Sequence, residues 1–508
     1  MDDDTPTTDD LPLFTDQLGR GGDRPAIVDP LGTISYAALD GAARALAAQL
    51  LAGSSDLDGS RVIVLCRPGR QFVAALAGCW HAGATAVPLH PDHPVAELSG
   101  LVADADPVAI VSSEEHRDLA DQLAAGCSSR VVAAGPAFDP RSWVADAPLP
   151  SVSADRPALM VFTSGTTGRP KGAVHTHASL RAQITAMVEA WGWTGEDRTL
   201  LVLPLHHVHG IVNVALTPLW VGAVCEAPGG FDAMATWERL GSGEISVFMA
   251  VPTIYARLIA TWEAADPATR DRWSAGAARA RLMVSGSAAL PVSVLERWRS
   301  ISGQELLERY GMTEVGMALG NPLERRVPGH VGVPFPGVRT RLVDDHGADV
   351  PDGEPGELLL QGPQLFAGYW NRPEATAEAF TDGWFRTGDV AVRHPEGFRL
   401  LGRSSVDILK TGGEKVSALE IEEVYRTHPA IADCAVVGLP DEEWGDRVAM
   451  AVVPADAAAP MLVDELRAWG KERLAPAKVP TRYLVVGSLP RNVMGKVTKP
   501  AVVELFDA

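Results

Sequence analysis

The sequence contains few cysteines, and they are not arranged in pairs. Among 508 residues there are five, and no two of them form a Cys-x-x-Cys motif. So sparse and odd-numbered a set is typical of a reduced, intracellular protein. The amino terminus, Met1-Asp-Asp-Asp4, lacks the basic start and apolar stretch of a secretory signal. No apolar run reaches the roughly 18 residues that a membrane helix needs, and we therefore expect a cytoplasmic protein without membrane insertion.

Basic residues are also scarce relative to acidic ones. The chain has 44 lysines and arginines against 64 aspartates and glutamates, which gives a formal net charge of −20. Because nucleic-acid binding needs a basic face, this excess of acid excludes general nucleic-acid binding. It does not exclude an anionic small-molecule substrate, since a local group of cations can outweigh the global field.

The pattern of apolar runs predicts an α/β fold with more than one domain. A chain of 508 residues is longer than a single hydrophobic core usually serves. Short β-type runs alternate with Ala-rich helical segments, and this alternation predicts a parallel sheet covered by helices. These runs are Arg61–Cys66, Ala84–Leu89, Val108–Ser112, Arg130–Ala133, Thr199–Leu203, Ser246–Ala250 and Arg281–Ser285.

The pattern of predicted elements changes after residue 335, where strands are separated by turns in place of helices. This pattern predicts a smaller β-subdomain. Its predicted strands are Arg339–Val343, Gly356–Gln361, Asp389–Val392 and Gly397–Leu401. A compact α/β module then runs from residue 404 to the carboxyl terminus. Its predicted elements are helix Ala418–Thr427, strand Cys434–Leu439, strand Arg447–Val453, helix Leu462–Leu474 and strand Tyr483–Val486.

The densest motif is Val161-Phe-Thr-Ser-Gly-Thr-Thr-Gly-Arg-Pro-Lys-Gly172, which follows a predicted buried strand, Ala158–Phe162. Glycines let a backbone approach an anion closely, and hydroxyls, backbone N–H groups and a lysine bind phosphate oxygens. The spacing differs from a Walker A loop, since two residues separate Gly165 from Gly168 and a glycine follows Lys171. A Gly/Ser-rich connector would not need so many hydroxyls before a Pro-Lys-Gly ending. The stretch is predicted to bind a polyphosphate.

A second motif is Glu308-Arg-Tyr-Gly-Met-Thr-Glu314. Tyr310 offers a flat ring for stacking, Gly311 permits close approach, and Thr313 offers a hydroxyl donor. Glu314 is a hard oxygen ligand of the kind that Mg²⁺ uses together with substrate phosphates. On the residues alone, an ordinary helix start with surface charges is the alternative.

Five further motifs lie between Ser285 and Lys496. They are Ser285-Gly-Ser-Ala-Ala-Leu-Pro291, Trp384-Phe-Arg-Thr-Gly-Asp389, Leu401-Gly-Arg403, Lys410-Thr-Gly-Gly-Glu-Lys-Val416 and Pro490-Arg-Asn-Val-Met-Gly-Lys496. Together with the two motifs above, and in this order, they resemble the adenylate-forming superfamily of acyl-CoA synthetases, adenylation domains and luciferases. The resemblance covers residues 25–500. It implies an adenylation core over residues 1–403 and a mobile domain over residues 404–508, with a pivot at Ser404–Ser405.

The resemblance also implies a role for each matching residue. Nucleotide contacts are expected from Thr163, Ser164, Gly165, Thr166, Thr167, Gly168, Lys171, Ser287, Ala288, Ala289, Glu308, Arg309, Tyr310, Gly311, Met312, Asp389 and Arg403. Among these, Tyr310 would pack on adenine and Asp389 would bind the ribose hydroxyls. Thr313 would touch the α-phosphate, Glu314 would hold Mg²⁺, and Lys496 would bridge the acid's carboxylate and the α-phosphate. Gly412 and Gly413 would line the tunnel for the CoA thiol.

The acid is suggested by the segment Val251-Pro-Thr-Ile-Tyr-Ala-Arg257. Within the superfamily the chain looks most like the malonyl-CoA synthetases, where an arginine at the position of Arg257 grips the distal carboxylate of malonate or methylmalonate. The planar fork of arginine suits a carboxylate. The resemblance also places His207 and Ser285 at the acid. The group of histidines in Leu205-His-His-Val-His-Gly210 has no matching carboxylate or Cys spacing, so a metal site is not predicted there.

Three departures from the malonate-specific pattern are visible. Val315–Gly320 is poorer in hydroxyl and amide groups, His330 replaces a small residue, and His206 stands where Phe is frequent. We therefore predict an ATP-dependent acid–CoA ligase that works through an acyl adenylate, using Mg²⁺, as a monomer or homodimer. Two alternatives stay open: transfer of another small acid, or of an oxyanion such as nitrite, to an amine or carrier-protein thiol, and a catalytically silent nucleotide binder.

Overall fold

Four β-sheets, with helices packed against them, organise the described part of the chain. The structure is a computed structural model and describes residues 11–143, 148–163, 170–411, 414–441, 444–456, 463–491 and 496–506. Within these ranges no helix is both long and apolar enough to cross a membrane.

The strands follow the chain in four groups. The first comprises Pro25–Asp29, Gly32–Ser35, Arg61–Leu65, Thr85–Pro88, Ala109–Ser112, Arg130–Ala133, Pro157–Thr163 and Lys171–Thr176 (β1 to β8). The second comprises Arg198–Leu200, Val224–Glu226, Val247–Ala250, Leu282–Ser285, Leu307–Met312, Gly316–Gly320 and Val333–Pro334 (β9 to β15). The third comprises Arg339–Val343, Pro355–Gln361, Gly368–Tyr369, Phe380–Thr381, Trp384–His394 and Gly397–Arg403 (β16 to β21). The last comprises Ile408–Thr411, Glu414–Ser417, Ile431–Asp441, Gly445–Pro454 and Arg482–Val485 (β22 to β26).

The α-helices lie between these strands. In chain order they are Phe14–Gly19, Tyr36–Leu51, Arg70–His81, Val95–Ala105, Arg117–Ala125, His177–Trp191, Thr217–Trp220, Ala233–Gly241, Pro252–Ala264, Pro267–Ala277, Val292–Ser302, Pro373–Glu378, Ala418–Arg426, Val463–Arg473 and Lys499–Glu504 (α1 to α15). A π-helical segment, His209–Leu216, precedes α7.

Two large sheets form the body of the N-terminal domain. One has seven strands in the order β18-β8-β7-β4-β3-β5-β6, and the other has nine in the order β15-β14-β13-β12-β11-β9-β10-β1-β2. Strands β3 to β6 pair in parallel, as do β9 to β13. The predicted parallel sheets with alternating helices are confirmed, because their strands are buried on both faces as such sheets require.

The strands that flank the predicted phosphate-binding loop, β7 and β8, are antiparallel partners. β7 ends at Thr163, as predicted, but the chain returns antiparallel as β8 before helix α6 begins. Thr163 pairs directly with Lys171, which closes the hairpin. A Walker A loop joins a strand to a helix, so the topology differs from that motif in addition to the glycine spacing.

The β-subdomain and the C-terminal module each have a sheet of their own. The subdomain sheet has the order β16-β17-β20-β19, with β21 also pairing with β20, and the C-terminal sheet has the order β23-β22-β25-β24, with β26 beside β25. The predicted large domain with a β-subdomain and a smaller α/β domain is confirmed. The proposed division after residue 403 falls between β21, in the third sheet, and β22, in the fourth.

A buried ion pair ties the last helix to the C-terminal core. Lys499, at the start of α15, donates to Glu422 on α13 and to the Val436 carbonyl oxygen at 2.6 Å. Arg426 lies 2.9 Å from the same Glu422 carboxylate. By contrast, Lys478 pairs with Glu420 at 2.8 Å where both side chains are partly exposed.

We expect Glu422→Gln to destabilise the C-terminal module by up to about 3–5 kcal/mol, because Lys499 and Arg426 would lose their nearest carboxylate and keep only Asp407 and Asp433, each at 3.7 Å. The matched variant Glu420→Gln should cost less than about 1 kcal/mol, since its pair is partly solvated. Scanning calorimetry of the full chain measures both shifts. Equal shifts for the two variants would contradict this account.

Glu308, on β13, is a buried carboxyl that accepts a hydrogen bond from the Gly329 N–H at 2.7 Å. Burial raises its pKa to about 8. The folded chain therefore keeps this proton up to a pH at which the unfolded chain has lost it. The free energy of unfolding should consequently fall as the pH rises from 4.5, the ordinary pKa of this carboxyl, to 8.

Glu308→Gln should remove this pH-dependent penalty. Relative to the parent protein, we expect the variant to gain about 1.4 kcal/mol per pH unit between these limits at most, and less if water reaches the carboxyl. Urea unfolding at pH 5 and pH 8 tests this, with Glu296→Gln on the exposed face of α11 as the control. A constant difference between variant and parent at both pH values would contradict it.

Candidate active site

Tyr310 and Asp389 come from different sheets and meet through a hydrogen bond. The Tyr310 hydroxyl donates to the Asp389 carboxylate at 2.5 Å. Arg403 lies opposite Asp389 in the β20–β21 register, with its Nε 3.3 Å from the other carboxylate oxygen. Burial, and then the Asp389 charge, raise the pKa of Tyr310 well above its ordinary value, so it stays a donor. The residues predicted to contact adenine and ribose are thus brought together.

Lys171 and Glu314, the two charges predicted to face the phosphates, lie on either side of Tyr369. The Lys171 ammonium is 5.1 Å from the centre of the Tyr369 ring. The Tyr369 hydroxyl donates to Glu314 Oε1 at 2.7 Å. Burial raises the pKa of Glu314, and among the described residues no cation lies within ion-pair distance of its carboxylate. A buried carboxylate without a counter-charge, beside a phosphate-binding lysine, fits the donor set that Mg²⁺ uses with substrate phosphates.

The backbone of Thr313 is fixed by a buried histidine from the other large sheet. His175 on β8 donates from Nε2 to the Thr313 carbonyl at 2.7 Å, and its Nδ1 faces the Gln183 amide nitrogen at 3.1 Å. Burial lowers the pKa of His175 to about 4, which keeps the ring neutral. The hairpin that carries Thr313 is tight, because a Cβ on Gly311 would lie 2.0 Å from the Gly316 carbonyl oxygen.

Lys496, from the C-terminal module, lies among side chains of the N-terminal domain. Solvent reaches Lys496, yet burial and then the charges of Arg309 and Arg403 lower its pKa, while Asp389 opposes them. Burial and the Lys496 charge lower the pKa of His207 to about 4. The predicted catalytic lysine therefore lies near enough to these predicted nucleotide and acid contacts for their charges to act on one another.

Arg309, next to Tyr310, is a buried guanidinium. It donates from Nη2 to the Ser287 hydroxyl at 3.2 Å, and Ser287 also lies 3.1 Å from His209 Nδ1. The Arg309 Nε is buried without a hydrogen-bond partner, as is the Ser285 hydroxyl. Burial lowers the pKa of Arg309 to about 9. In the described part of the chain no carboxylate lies within ion-pair distance of this guanidinium.

Arg257, the residue predicted to grip the distal carboxylate, lies on α9. Its side chain is exposed, and its guanidinium stacks on the Phe231 ring at 4.7 Å. The structure does not bring Arg257 into contact with Lys496, Arg309 or His207 in any of its described interactions.

Four histidine rings, those of His90, His93, His206 and His207, form a contiguous group. His206 lies 3.9 Å from His207, 4.8 Å from His90 and 5.2 Å from His93, between ring centres. Both ring nitrogens of His93 and of His206 are buried without a hydrogen-bond partner. Burial lowers the pKa of His206 to about 2, so this ring stays neutral. Across the described ranges, no three His, Cys, Asp or Glu side chains are placed to hold a metal ion.

Seven predicted residues lie outside the described ranges: Ser164, Gly165, Thr166, Thr167, Gly168, Gly412 and Gly413. The strands that flank the last two, β22 and β23, are antiparallel partners. Ala288 and Ala289 are exposed just after β12, and Met312 ends β13. The roles assigned to these residues stay predictions.

Sequence reasoning missed Tyr369, His175 and His209. Tyr369 stands in Gly368-Tyr-Trp370, and a tyrosine after a glycine in a turn-rich segment carries no signal that it will meet Glu314, 55 residues away. Arg309 was expected only as a nucleotide contact. Tyr310, the next residue along β13, was predicted to pack on adenine. Because side chains alternate between the two faces of a strand, Arg309 should lie on the opposite face from Tyr310.

Two protein-family models cover most of the chain. The model described as AMP-binding enzyme matches residues 14–370, and the model described as AMP-binding enzyme C-terminal domain matches residues 420–496. The first alone matches more than half of the chain, and the second falls within the C-terminal module.

Named relatives match over nearly the whole length. The mitochondrial malonate–CoA ligase ACSF3 of Homo sapiens is 42% identical, covering 97% of this chain and 92% of its own. A malonate–CoA ligase of Arabidopsis thaliana is 41% identical, covering 88% of this chain and 78% of its own. The ATP-bound crystal structure of MatB from Rhodopseudomonas palustris matches with a TM-score of 0.87 at 30% identity, covering 97% of this chain and 99% of that one.

A malonyl-CoA ligase crystallised with methylmalonyl-CoA and AMP matches with a TM-score of 0.68 at 38% identity, covering 93% of this chain and 98% of that one. These findings confirm the predicted resemblance and the predicted reaction class, an AMP-forming acid–CoA ligase. The chain belongs to the AMP-binding enzyme family, and so to the adenylate-forming superfamily.

Proposed function

We propose that the protein joins a short dicarboxylic acid, malonate or methylmalonate, to coenzyme A through an acyl adenylate. The observation that carries this proposal is the buried guanidinium of Arg309 without a carboxylate partner. A buried charge that loses its partner costs about 3–5 kcal/mol, so an anionic ligand is the natural completion of this site. The relatives named above as malonate–CoA ligases support the same acid.

The position of Arg309 favours an acid with two carboxylates. Its charge and that of Lys496 act on each other, and Lys496 is the residue predicted to hold the reacting carboxylate. A short dicarboxylic acid offers one carboxylate for each of these two cations. The neutral rings of His207 and His209 beside them offer N–H donors without adding charge.

In the first step, a carboxylate oxygen of the acid attacks the α-phosphorus of ATP, and pyrophosphate leaves. Lys496 would stabilise the negative charge that develops on the α-phosphate, and Thr313 would donate to it. Tyr310, Asp389 and Arg403 would hold adenosine, and Lys171 the outer phosphates. Glu314 would hold Mg²⁺, which supplies charge neutralisation to the departing pyrophosphate when bound.

In the second step, the CoA thiol attacks the acyl carbon, AMP leaves, and the thiol proton is released. The segment predicted to line the thiol's path, around Gly412 and Gly413, belongs to the C-terminal module. In this structure the neighbouring Lys415 is paired with Asp345 of the β-subdomain at 2.6 Å. The closer match to an ATP-bound relative than to the product complex agrees with an arrangement set for the first step.

The acid and the acceptor are tested together by pyrophosphate and AMP release across a panel of acids. We expect malonate and methylmalonate to release AMP only when CoA is present, and butyrate to be a poor substrate. AMP release that needs an amine or a carrier-protein thiol would contradict the proposal that coenzyme A is the acceptor. A preference for simple monocarboxylates, or for nitrite, would contradict the proposal that the substrate is malonate or methylmalonate.

Arg309 and Arg257 are the two candidates for binding the distal carboxylate, and substituting each in turn distinguishes between them. Arg309→Met should lower kcat/KM for malonate by about 100-fold or more, with the relative preference shifting towards butyrate. Arg257→Met is the matched variant on an exposed helix position, and we expect a change of less than about threefold, as is usual for a surface side chain. The opposite ranking would return the role to Arg257, as the sequence pattern predicted.

Lys496→Ala should lower the adenylation half-reaction by about 100-fold or more, while thiolation of supplied malonyl adenylate continues. The reason is that Lys496 faces the nucleotide contacts in the arrangement set for the first step. Single-turnover measurements of each half-reaction provide the test. Lys499→Arg, which keeps the buried charge three residues along, serves as a control for local folding. Equal loss in both half-reactions would contradict the assignment.

We further propose that the protein acts in the cytoplasm, as a monomer or homodimer. The composition supports this location, whereas four ACSF3 relatives carry the word mitochondrial in their names. Cell fractionation and light scattering would decide both points.

A further inference from the structure

The segment that carries Tyr369 joins the two large sheets at the phosphate side of the site. The Phe366 N–H donates to the Glu314 carbonyl at 2.8 Å, and the Trp370 N–H donates to the Gly172 carbonyl at 2.8 Å. Between them, β18 pairs antiparallel with β8, with Tyr369 opposite Ala173. The same five-residue segment is therefore bonded to the backbone beside Lys171 and to the backbone of Glu314.

The side chain of Tyr369 makes a different contact with each charge. Its ring faces the Lys171 ammonium at 5.1 Å, a distance at which the ring quadrupole attracts a cation. Its hydroxyl donates to Glu314 Oε1 at 2.7 Å, so the carboxylate is held by a neutral donor. The Tyr369 backbone N–H is itself bonded to Thr376 Oγ1 at 2.9 Å, which fixes the start of the side chain.

Without such a spacer, two opposite charges in this environment would attract each other strongly. Glu314 is almost fully buried, and the energy of a close ion pair rises steeply as water is excluded. A direct Lys171–Glu314 pair would occupy the ammonium that phosphates need and the oxygen that a divalent cation needs. Both groups would then be poor ligands, although both would still be present.

We propose that Tyr369 is a positioning residue that keeps Lys171 and Glu314 apart, so that the lysine faces the phosphates of ATP and the glutamate faces the cation. The ring holds the lysine, and the hydroxyl holds the glutamate. The proposal concerns the nucleotide site alone and does not depend on the identity of the acid.

The two halves of the proposal are separated by Tyr369→Phe and Tyr369→Leu. Binding of α,β-methylene-ATP, which the enzyme cannot cleave at the α–β bond, is measured by calorimetry with and without Mg²⁺. Tyr369→Phe keeps the ring, so Mg²⁺-free binding should stay unchanged. The additional affinity that Mg²⁺ confers should fall by about tenfold, the worth of one hydrogen bond to a charged group.

Tyr369→Leu removes both contacts and should also weaken Mg²⁺-free binding by about tenfold, because Lys171 would then pair with Glu314. Adding Glu314→Gln to Tyr369→Leu removes that competitor. We expect the double variant to regain the Mg²⁺-free affinity of the parent, with no gain from Mg²⁺. A merely structural role for the tyrosine would not produce this recovery.

Tyr36→Phe is the matched control, since it also removes a buried tyrosine hydroxyl, whose bond to the Ala223 carbonyl is 2.6 Å long. It should alter neither binding measurement. If Tyr369→Leu fails to fold, Tyr369→Phe decides the Mg²⁺ half alone. Parent-like Mg²⁺ dependence in Tyr369→Phe, or a double variant as weak as Tyr369→Leu, would overturn the proposal.

Discussion

The site depends on holding charged groups in a partly dry environment without letting them neutralise one another. Glu314 is held by the hydroxyl of Tyr369, Arg309 by the hydroxyl of Ser287, and Asp389 by the hydroxyl of Tyr310. A neutral donor or acceptor fixes the direction of a charge while leaving that charge available. Of the two carboxylates, Asp389 also has a described cation at ion-pair distance, Arg403 at 3.3 Å, whereas the charge of Arg403 reaches Glu314 from farther away. The remaining charges are thus available for ligands.

This arrangement requires several separate elements to meet. Tyr310 and Arg309 come from the nine-stranded sheet, Lys171 and Tyr369 from the seven-stranded sheet, and Asp389 from the β-subdomain. Glu314, Arg309 and Asp389 are each held by a hydroxyl from elsewhere in the chain, so the sheets must stand in a defined relation before these three charges are oriented. The hydrogen bond from His175 to Thr313 and the backbone hydrogen bonds of segment 366–370 connect the two large sheets. These buried bonds hold the sheets in their relative position.

Local pattern was enough to predict the strands, and the family resemblance singled out several residues as site candidates. Strands β3 to β6 were predicted because short apolar runs bounded by helical segments have few other structures. The hairpin of β7 and β8 was missed, since its second strand begins inside the phosphate-binding motif, whose sequence resembles a strand-to-helix turn. Tyr310, Asp389 and Lys496 were predicted from their motifs, whereas Tyr369 acquires its role only through a contact across 55 residues. Contacts of this kind depend on topology, which local composition does not encode.

The charges around Lys496 also bear on how the C-terminal module is held in place. Arg309 and Arg403 both lower the pKa of Lys496, and Asp389 alone among its named neighbours raises it. A lowered pKa means that the protonated lysine is less stable here than in water. An anion bound among these three cations reverses that balance, because each added negative charge favours the protonated form. In the proposed two-step reaction, where the C-terminal module is expected to move, such an anion would favour the orientation that brings Lys496 to it.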